Sequence, residues 1–299
     1  MKKTLLIWFK AARAPFLVVS FIPAVLGGFI AYSRGSFQWE IFLLATLGIV
    51  AAHSAADFVD DYFDYKNGNL GNKEQQFHDS PLIHGEVTLK QVLAATILCL
   101  VIALAIGVYL LVRVGLPVLY LMGAGTFIVL FYTAPPVRLN YRGLGETMLF
   151  FAFGPLTVFG SYYVLTKSFS LEPLFASFPL GVFTMNVGIV SNTFDYEDDV
   201  KSGKKCIPVR FGQKTAVGII ILGTVLAYLV TVAGMLLGYL PAWSALSLLT
   251  LPLAWMVIRE TMQFHNTDRY APAMGKAIGL TSITGMILLL AYIIQFAYR

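Results

Sequence analysis

Two acidic runs hold the side chains best suited to chemistry. The first reads Asp57-Phe-Val-Asp60-Asp61-Tyr-Phe-Asp64-Tyr-Lys66-Asn67-Gly68, and the second Ser191-Asn192-Thr-Phe-Asp195-Tyr-Glu197-Asp198-Asp199-Val-Lys201-Ser202-Gly203. Positions 57, 60, 61 and 64 differ by three and four, so on a helix their carboxylates share one face. Positions 192, 195 and 199 do the same. Like charges stacked on one face repel, and an Asp held in hydrocarbon costs about 2.5–3.5 kcal/mol. A cluster of hard oxygen ligands offsets that cost if it binds Mg²⁺, an ion that takes carboxylates together with substrate phosphate and water. Two facing clusters would hold two ions and clamp a diphosphate between them.

The runs are also copies of each other. A shift of 135 residues lays Asp195 on Asp60, Asp199 on Asp64, Lys201 on Lys66 and Gly203 on Gly68, with Asn192 on Asp57. Each copy closes an apolar stretch, the pattern of a duplicated half that contributes one site element per half. Their eight acidic residues are half of the chain's 16. A solvated acidic cap and a proton or cation pathway are the competing readings, since intramembrane carboxylates mark such pathways. Lys66, Lys201, Lys204 and Lys205 stand beside the acids, and mixed sign suits a metal-bridged anion better than a bare cation.

The elements that carry these runs are membrane helices. Of 299 residues 58% are hydrophobic and 12% charged, with mean hydropathy +0.74; a soluble domain has about twice that charged fraction. Apolar runs of spanning length fall near 15–33, 40–58, 90–112, 116–133, 145–166, 172–192, 214–236, 240–258 and 276–297. The expectation is an all-α, polytopic bundle of nine transmembrane helices in pseudo-repeated halves around a central cavity. It forms one transmembrane domain over 1–299. The first run follows Lys2, Lys3 and Lys10 and reads as a retained span, with no signal-peptide cleavage site. An inside N-terminus puts 17 of 21 Lys and Arg on the cytoplasmic side, leaving Arg34, Arg113, Lys167 and Arg299 outside. That bias orients a multi-pass cell-membrane protein with its N-terminus in the cytoplasm and its C-terminus outside. Both acidic runs then face the cytoplasm. Cys99 in a span and Cys206 in a loop imply neither a disulfide framework nor a zinc site. The net charge of +5 comes without a basic, aromatic-interleaved cluster, so nucleic acid is not an expected partner.

At these residues the chain resembles the UbiA superfamily of intramembrane prenyltransferases. Asp60-Asp61-Tyr62-Phe63-Asp64-Tyr65-Lys66-Asn67-Gly68 is similar to the first motif of the branch that prenylates 1,4-dihydroxy-2-naphthoate on the route to menaquinone. Arg13-Ala14-Pro15 with Ile22-Pro23-Ala24-Val25-Leu26-Gly27 resembles that branch's first helix, and Tyr141-Arg142-Gly143-Leu144-Gly145-Glu146 its 4–5 connection. Asp199-Val-Lys-Ser-Gly203 through Val209-Arg210-Phe211-Gly212 completes a resemblance running from residue 13 to about 214. Departures from the pattern bear on the acceptor, among them Gly68 where ubiquinone-type members add an Asp and Ser191 for the first Asn before the second motif. Asp60 stands for the motif's leading Asn, Phe194 for an Arg before the second motif, and Ser80 for an Arg ahead of Pro81-Leu82.

The resemblance implies a Mg²⁺-dependent enzyme in the bilayer that moves a polyprenyl group from its diphosphate to an aromatic or lipid acceptor. Asp60, Asp64, Asp195 and Asp199 would be metal-binding and catalytic. Asp61, Lys66, Arg138, Arg142, Tyr132, Asn192, Lys201 and Arg13 would bind substrate, with guanidinium forks suited to diphosphate. Arg138, Arg142, Lys66 and Lys201 equally fit ordinary positive-inside charge, and Lys204 and Lys205 fit lipid headgroups. Tyr132, Tyr141 and Tyr62 could shield an allylic cation through their rings, or belong to an interfacial belt. His53, one turn before Asp57, reads as a packed histidine more readily than as a proton acceptor. His78 and His84 have no ligand spacing, and Asn186 suits a helix–helix hydrogen bond. The rivals are geranylgeranylglyceryl phosphate as acceptor, giving an ether lipid; a cation-coupled transporter; and a CDP-alcohol phosphotransferase, whose Asp-Gly-x-x-Ala-Arg arrangement is absent.

Overall fold

The computed structural model describes residues 2–69 and 81–298, except the side chains of Lys2 and Lys3. His78, Ser80 and Arg299 lie outside the described residues. Every regular element among those described is helical. An N-terminal helix α1 (Lys2–Ala11) leads through a 3₁₀ turn, Ala14–Leu17, into α2 (Val18–Ser33). Then come α3 (Trp39–Lys66), α4 (Leu89–Val114) and α5 (Pro117–Phe131). The next span is composite: α6 (Gly145–Phe151), a π-helical turn Ala152–Leu156, and α7 (Thr157–Thr166). Then α8 (Glu172–Phe194), the short α9 (Tyr196–Lys201) and α10 (Ile207–Phe211), and α11 (Gln213–Leu236) follow. A 3₁₀ stretch Ala242–Thr250 feeds α12 (Leu251–Thr261), and α13 (Thr267–Tyr270) precedes α14 (Pro272–Ala297).

Among the described residues eight segments are long and apolar enough to cross a membrane. The ninth expected span is α5, which at 15 residues measures about 22 Å, short of the ~30 Å hydrocarbon thickness. Gly115, at φ +119, and Pro117 separate it from α4. Burial explains why lipid must be the solvent. In α4 only 11% of the most apolar 18-residue window is buried, and Ile97, Leu98, Val101 and Val108 are exposed. Water would penalise such a face, whereas hydrocarbon does not.

Two differences from the sequence reading matter for the site. Helix α3 does not stop near residue 58 but continues for two turns to Lys66, carrying the acids on regular helix. The π turn marks the place where Pro155 has no N–H to give. Within the turn Thr157 Oγ1 donates to the Ala152 carbonyl at 2.7 Å. Beside it Gly154 meets Gly181 so closely that a Cβ on Gly154 would lie 2.8 Å from the Gly181 Cα. Small residues thus let α8 approach the composite span. Asn186 makes the expected interhelical bonds, donating to Thr224 Oγ1 at 3.2 Å and Ile220 O at 3.4 Å.

Candidate active site

Both acidic runs end in the same local structure. Gly68 and Gly203 adopt left-handed conformations, φ +68 and +75, which a residue without a Cβ enters at little cost. They close two Schellman motifs. Asn69 N–H donates to Asp64 O and Lys204 N–H to Asp199 O, both at 2.9 Å, while Gly68 N–H reaches Tyr65 O and Gly203 N–H Val200 O, both at 3.2 Å. The 135-residue repeat therefore holds in the backbone and extends one position further, pairing Asn69 with Lys204. The second copy is broken: α8 stops at Phe194 and α9 restarts at Tyr196. Bonds from Asp195 N–H to Ser191 O and from Asp199 N–H to Asp195 O nevertheless carry the helical register across the break. Positions 192, 195 and 199 stay on one face.

The two ends meet at one cavity of about 370 Å³. Asp57, Asp60, Asp64, Asp195 and Asp199 line it, together with Asn69, Asn192, Lys204, Arg13 and Tyr132. Its remaining length is mostly apolar, with Leu104, Leu110, Val118, Met122 and Leu156 among its walls. An apolar groove along α5 and α6 shares Leu121, Ile128 and Leu156 with that length.

Arg13 reaches the site from the residue before the 3₁₀ turn, in a left-handed conformation (φ 46) that non-glycine residues rarely adopt. Its guanidinium donates to Asp61 and lies 3.9 Å from Asp60 Oδ2. Burial works against its charge, but Asp61, Asp57 and Asp60 outweigh burial and raise its pKa. Thr133 Oγ1 donates to Asp60 Oδ1 at 2.5 Å and Tyr141 OH to Asp64 Oδ1 at 3.2 Å. Tyr132 lines the cavity at the end of α5. His53 packs edge-on to Phe153 and shares a 2.9 Å hydrogen bond with Ser20 Oγ.

A buried polar network organises the second copy. Lys204 Nζ lies 3.2 Å from Asp199 Oδ1 and donates to Asn192 Oδ1 at 3.1 Å. Asn69 Nδ2 donates to the same Asp199 oxygen at 3.2 Å, and Cys206 Sγ to Asp199 Oδ2 at 3.2 Å. Asn192 Nδ2 in turn donates to Glu146 Oε1 at 2.9 Å, where Ile207 N–H also donates at 2.8 Å. Glu146 is fully buried. Burial opposes the charge of Lys204, yet Asp199, Asp64 and Asp60 prevail and raise its pKa.

Several expected contacts are not made. Lys204 is buried against Asp199 rather than exposed to headgroups; only Lys205 is exposed. Asp61 is not on the cavity wall, because it holds Arg13 from behind. Lys66 lies over the Tyr62 ring and Lys201 pairs with Asp198 at 3.3 Å, both exposed and off the wall. Arg138 donates to Asn67 Oδ1 at 3.0 Å, and Arg142 to the Pro136 carbonyl at 3.1 Å, so neither lines the cavity. Lys204, Asn69, Glu146 and Cys206 were not among the predicted site residues. One more step along the repeat would have pointed to the first two.

The acids suit a divalent ion by donor chemistry: hard carboxylate oxygens from two helix ends share one cavity wall. As the side chains stand, no three His, Cys, Asp or Glu among the described residues gather closely enough to hold an ion.

The profile of the UbiA prenyltransferase family matches residues 20–278. The 2-carboxy-1,4-naphthoquinone phytyltransferase of Synechocystis is 29% identical over 293 residues, covering 96% of this chain and 92% of that protein. The 1,4-dihydroxy-2-naphthoate octaprenyltransferase of Bacillus subtilis is 22% identical over 291 residues, 97% of this chain and 93% of the relative. A solved UbiA homolog from Archaeoglobus fulgidus, bound to GPP and Mg²⁺, shares the fold with a TM-score of 0.54 at 16% identity. The match covers 95% of this chain and 99% of that one.

Proposed function

The chain belongs to the UbiA prenyltransferase family, and from that premise we propose that it prenylates a dihydroxynaphthoate from a polyprenyl diphosphate with Mg²⁺. It is a polyprenyltransferase, which sets aside the transporter and phosphotransferase readings. One observation carries the finer proposal. Two acidic helix ends, related by an internal repeat, share the polar end of a cavity whose remaining length is mostly apolar. That is the shape of a substrate with a diphosphate head and a hydrocarbon tail.

Asp60, Asp64, Asp195 and Asp199 would hold the metal, and Asn192 would keep its hydrogen bonds beside them. Bound Mg²⁺ supplies Lewis-acid neutralisation of the leaving diphosphate. Arg13 and Lys204 add fixed positive charge at the same end of the cavity, where negative charge grows as the allylic C–O bond breaks. The cation left behind faces the Tyr132 ring. An electron-rich carbon of the acceptor then forms the new C–C bond and gives up its proton to the released diphosphate as the ring regains aromaticity. The tail lies along the apolar walls, with the α5–α6 groove as its route to lipid. In the cell membrane the acids face the cytoplasm, the N-terminus is inside and the C-terminus outside, as the basic bias implies. All of 1–299 serves as one domain.

The naphthoate acceptor draws its support from the names of the two relatives, and points to menaquinone-type biosynthesis. Phe194, where that branch has Arg, packs against Tyr270 within an apolar cluster. The acceptor's carboxylate must find another cation, for which Arg138 or Arg142 would reach in from the loop before α6. The test offers dihydroxynaphthoate, 4-hydroxybenzoate and geranylgeranylglyceryl phosphate together to the purified enzyme and analyses products by mass spectrometry. Prenylated naphthoate is expected as the main product. Exclusive ether-lipid formation would overturn the acceptor and leave the donor chemistry intact.

A further inference from the structure

Lys204 sits where the two acidic helix ends come together. Its side chain is 7% exposed and that of its partner Asp199 1%. The placement is built: the Schellman bond from Lys204 N–H to Asp199 O fixes the backbone, and Asn192, held by Glu146, anchors the ammonium. Asp64 and Asp60 act on the same charge from the other copy. The oxygens of Asp199 are thereby engaged, Oδ1 by Lys204 and Asn69, Oδ2 by Cys206.

We propose that Lys204 is a tethered counter-ion of the acid cluster, which a divalent cation displaces from Asp199 and which then turns to the diphosphate. This rests on the metal reading given above. An ammonium and a divalent ion cannot share one carboxylate face without strong repulsion inside a low-dielectric cavity. Metal binding alone must therefore expel the ammonium from its partner, whereas a diphosphate bound with the metal supplies a new anionic partner. By linkage, each ligand then tightens the other by the same factor. Metal and diphosphate load cooperatively, and the cluster holds a bare divalent ion weakly.

The test titrates Mn²⁺ into the full-length protein in detergent, reading free ion by EPR, with and without inorganic pyrophosphate and against a protein-free pyrophosphate control. Pyrophosphate should tighten Mn²⁺ binding to wild type by about tenfold, within the usual range of such couplings. Lys204→Gln keeps a donor toward Asn192 but no charge. It should bind Mn²⁺ alone about tenfold more tightly than wild type and lose most of the coupling. Lys204→Arg should behave as wild type. Lys204→Gln binding Mn²⁺ no more tightly than wild type overturns the proposal. So, without any variant, does a wild-type Mn²⁺ affinity that pyrophosphate leaves unchanged. Wild type that binds no Mn²⁺ even with pyrophosphate removes the metal reading as well, so the two failures are distinguishable.

Discussion

Asp64→Asn and Asp199→Asn should each lower turnover by about three orders of magnitude while the protein still purifies folded. The two residues are repeat equivalents, each at the end of its helix in front of a Schellman turn. Asn keeps shape and an acceptor oxygen for Tyr141 OH at position 64 and for Asn69 at position 199. What it removes is the charge that would bind metal against the leaving diphosphate. Asp198→Asn is the control: its neighbour is Asp199, but its carboxylate points to exposed Lys201 and is absent from the cavity wall. It should stay within about twofold of wild type, as surface ion pairs contribute little. If either of the first two variants keeps a tenth of wild-type turnover, its carboxylate is not a metal ligand the reaction depends on.

Arg13→Met should cost about 3 kcal/mol of stability, because it removes one partner of a largely buried ion pair. Arg13 and Asp61 side chains are only 18% and 15% exposed. For a chain of this size that corresponds to a thermal midpoint lower by about 6–12 °C. The double replacement Arg13→Met/Asp61→Leu should recover at least half of the loss, since removing both charges is far less harmful than removing one. Activity should not recover with it, because Arg13 also lines the cavity. A double variant no more stable than Arg13→Met would mean that the arginine stabilises through packing alone.

The membrane fold was legible because its signal is redundant. Apolar runs of bilayer length gave the spans to within a few residues, and the Gly115–Pro117 break parted α4 from α5 as expected. Helix ends were harder, because hydropathy falls at the acids of α3 while backbone hydrogen bonding continues to Lys66. Helix α1 leaves no mark in the hydropathy pattern: a ten-residue amphipathic piece carries no spanning signal. The π turn at Pro155 depends on how the backbone closes around a residue with no N–H to give, and sequence spacing does not reveal it. In the site, the acidic repeat was readable from helical spacing, but of the basic residues on the cavity wall only Arg13 was among the predicted site residues, through the family resemblance. Lys66 and Lys201 stand beside the acids in sequence yet do not line the cavity, and neither does Arg142. Lys204 belongs to a Lys-Lys pair that looks like surface charge, and only the turn after Gly203 folds it inward. Glu146 lay in a recognised loop motif without a role, because its partners Asn192 and Ile207 come from the second half of the chain.

The central claim, that paired acids act through a divalent metal on a prenyl diphosphate, is met most directly by a metal titration of turnover. Purified enzyme stripped with EDTA is given geranylgeranyl diphosphate and dihydroxynaphthoate, and prenylated product is followed as Mg²⁺ is added back. Stripped enzyme should form no product above background, and Mg²⁺ should restore turnover along a saturating curve that Asp64→Asn and Asp199→Asn do not follow. Wild-type turnover in excess EDTA would contradict the account.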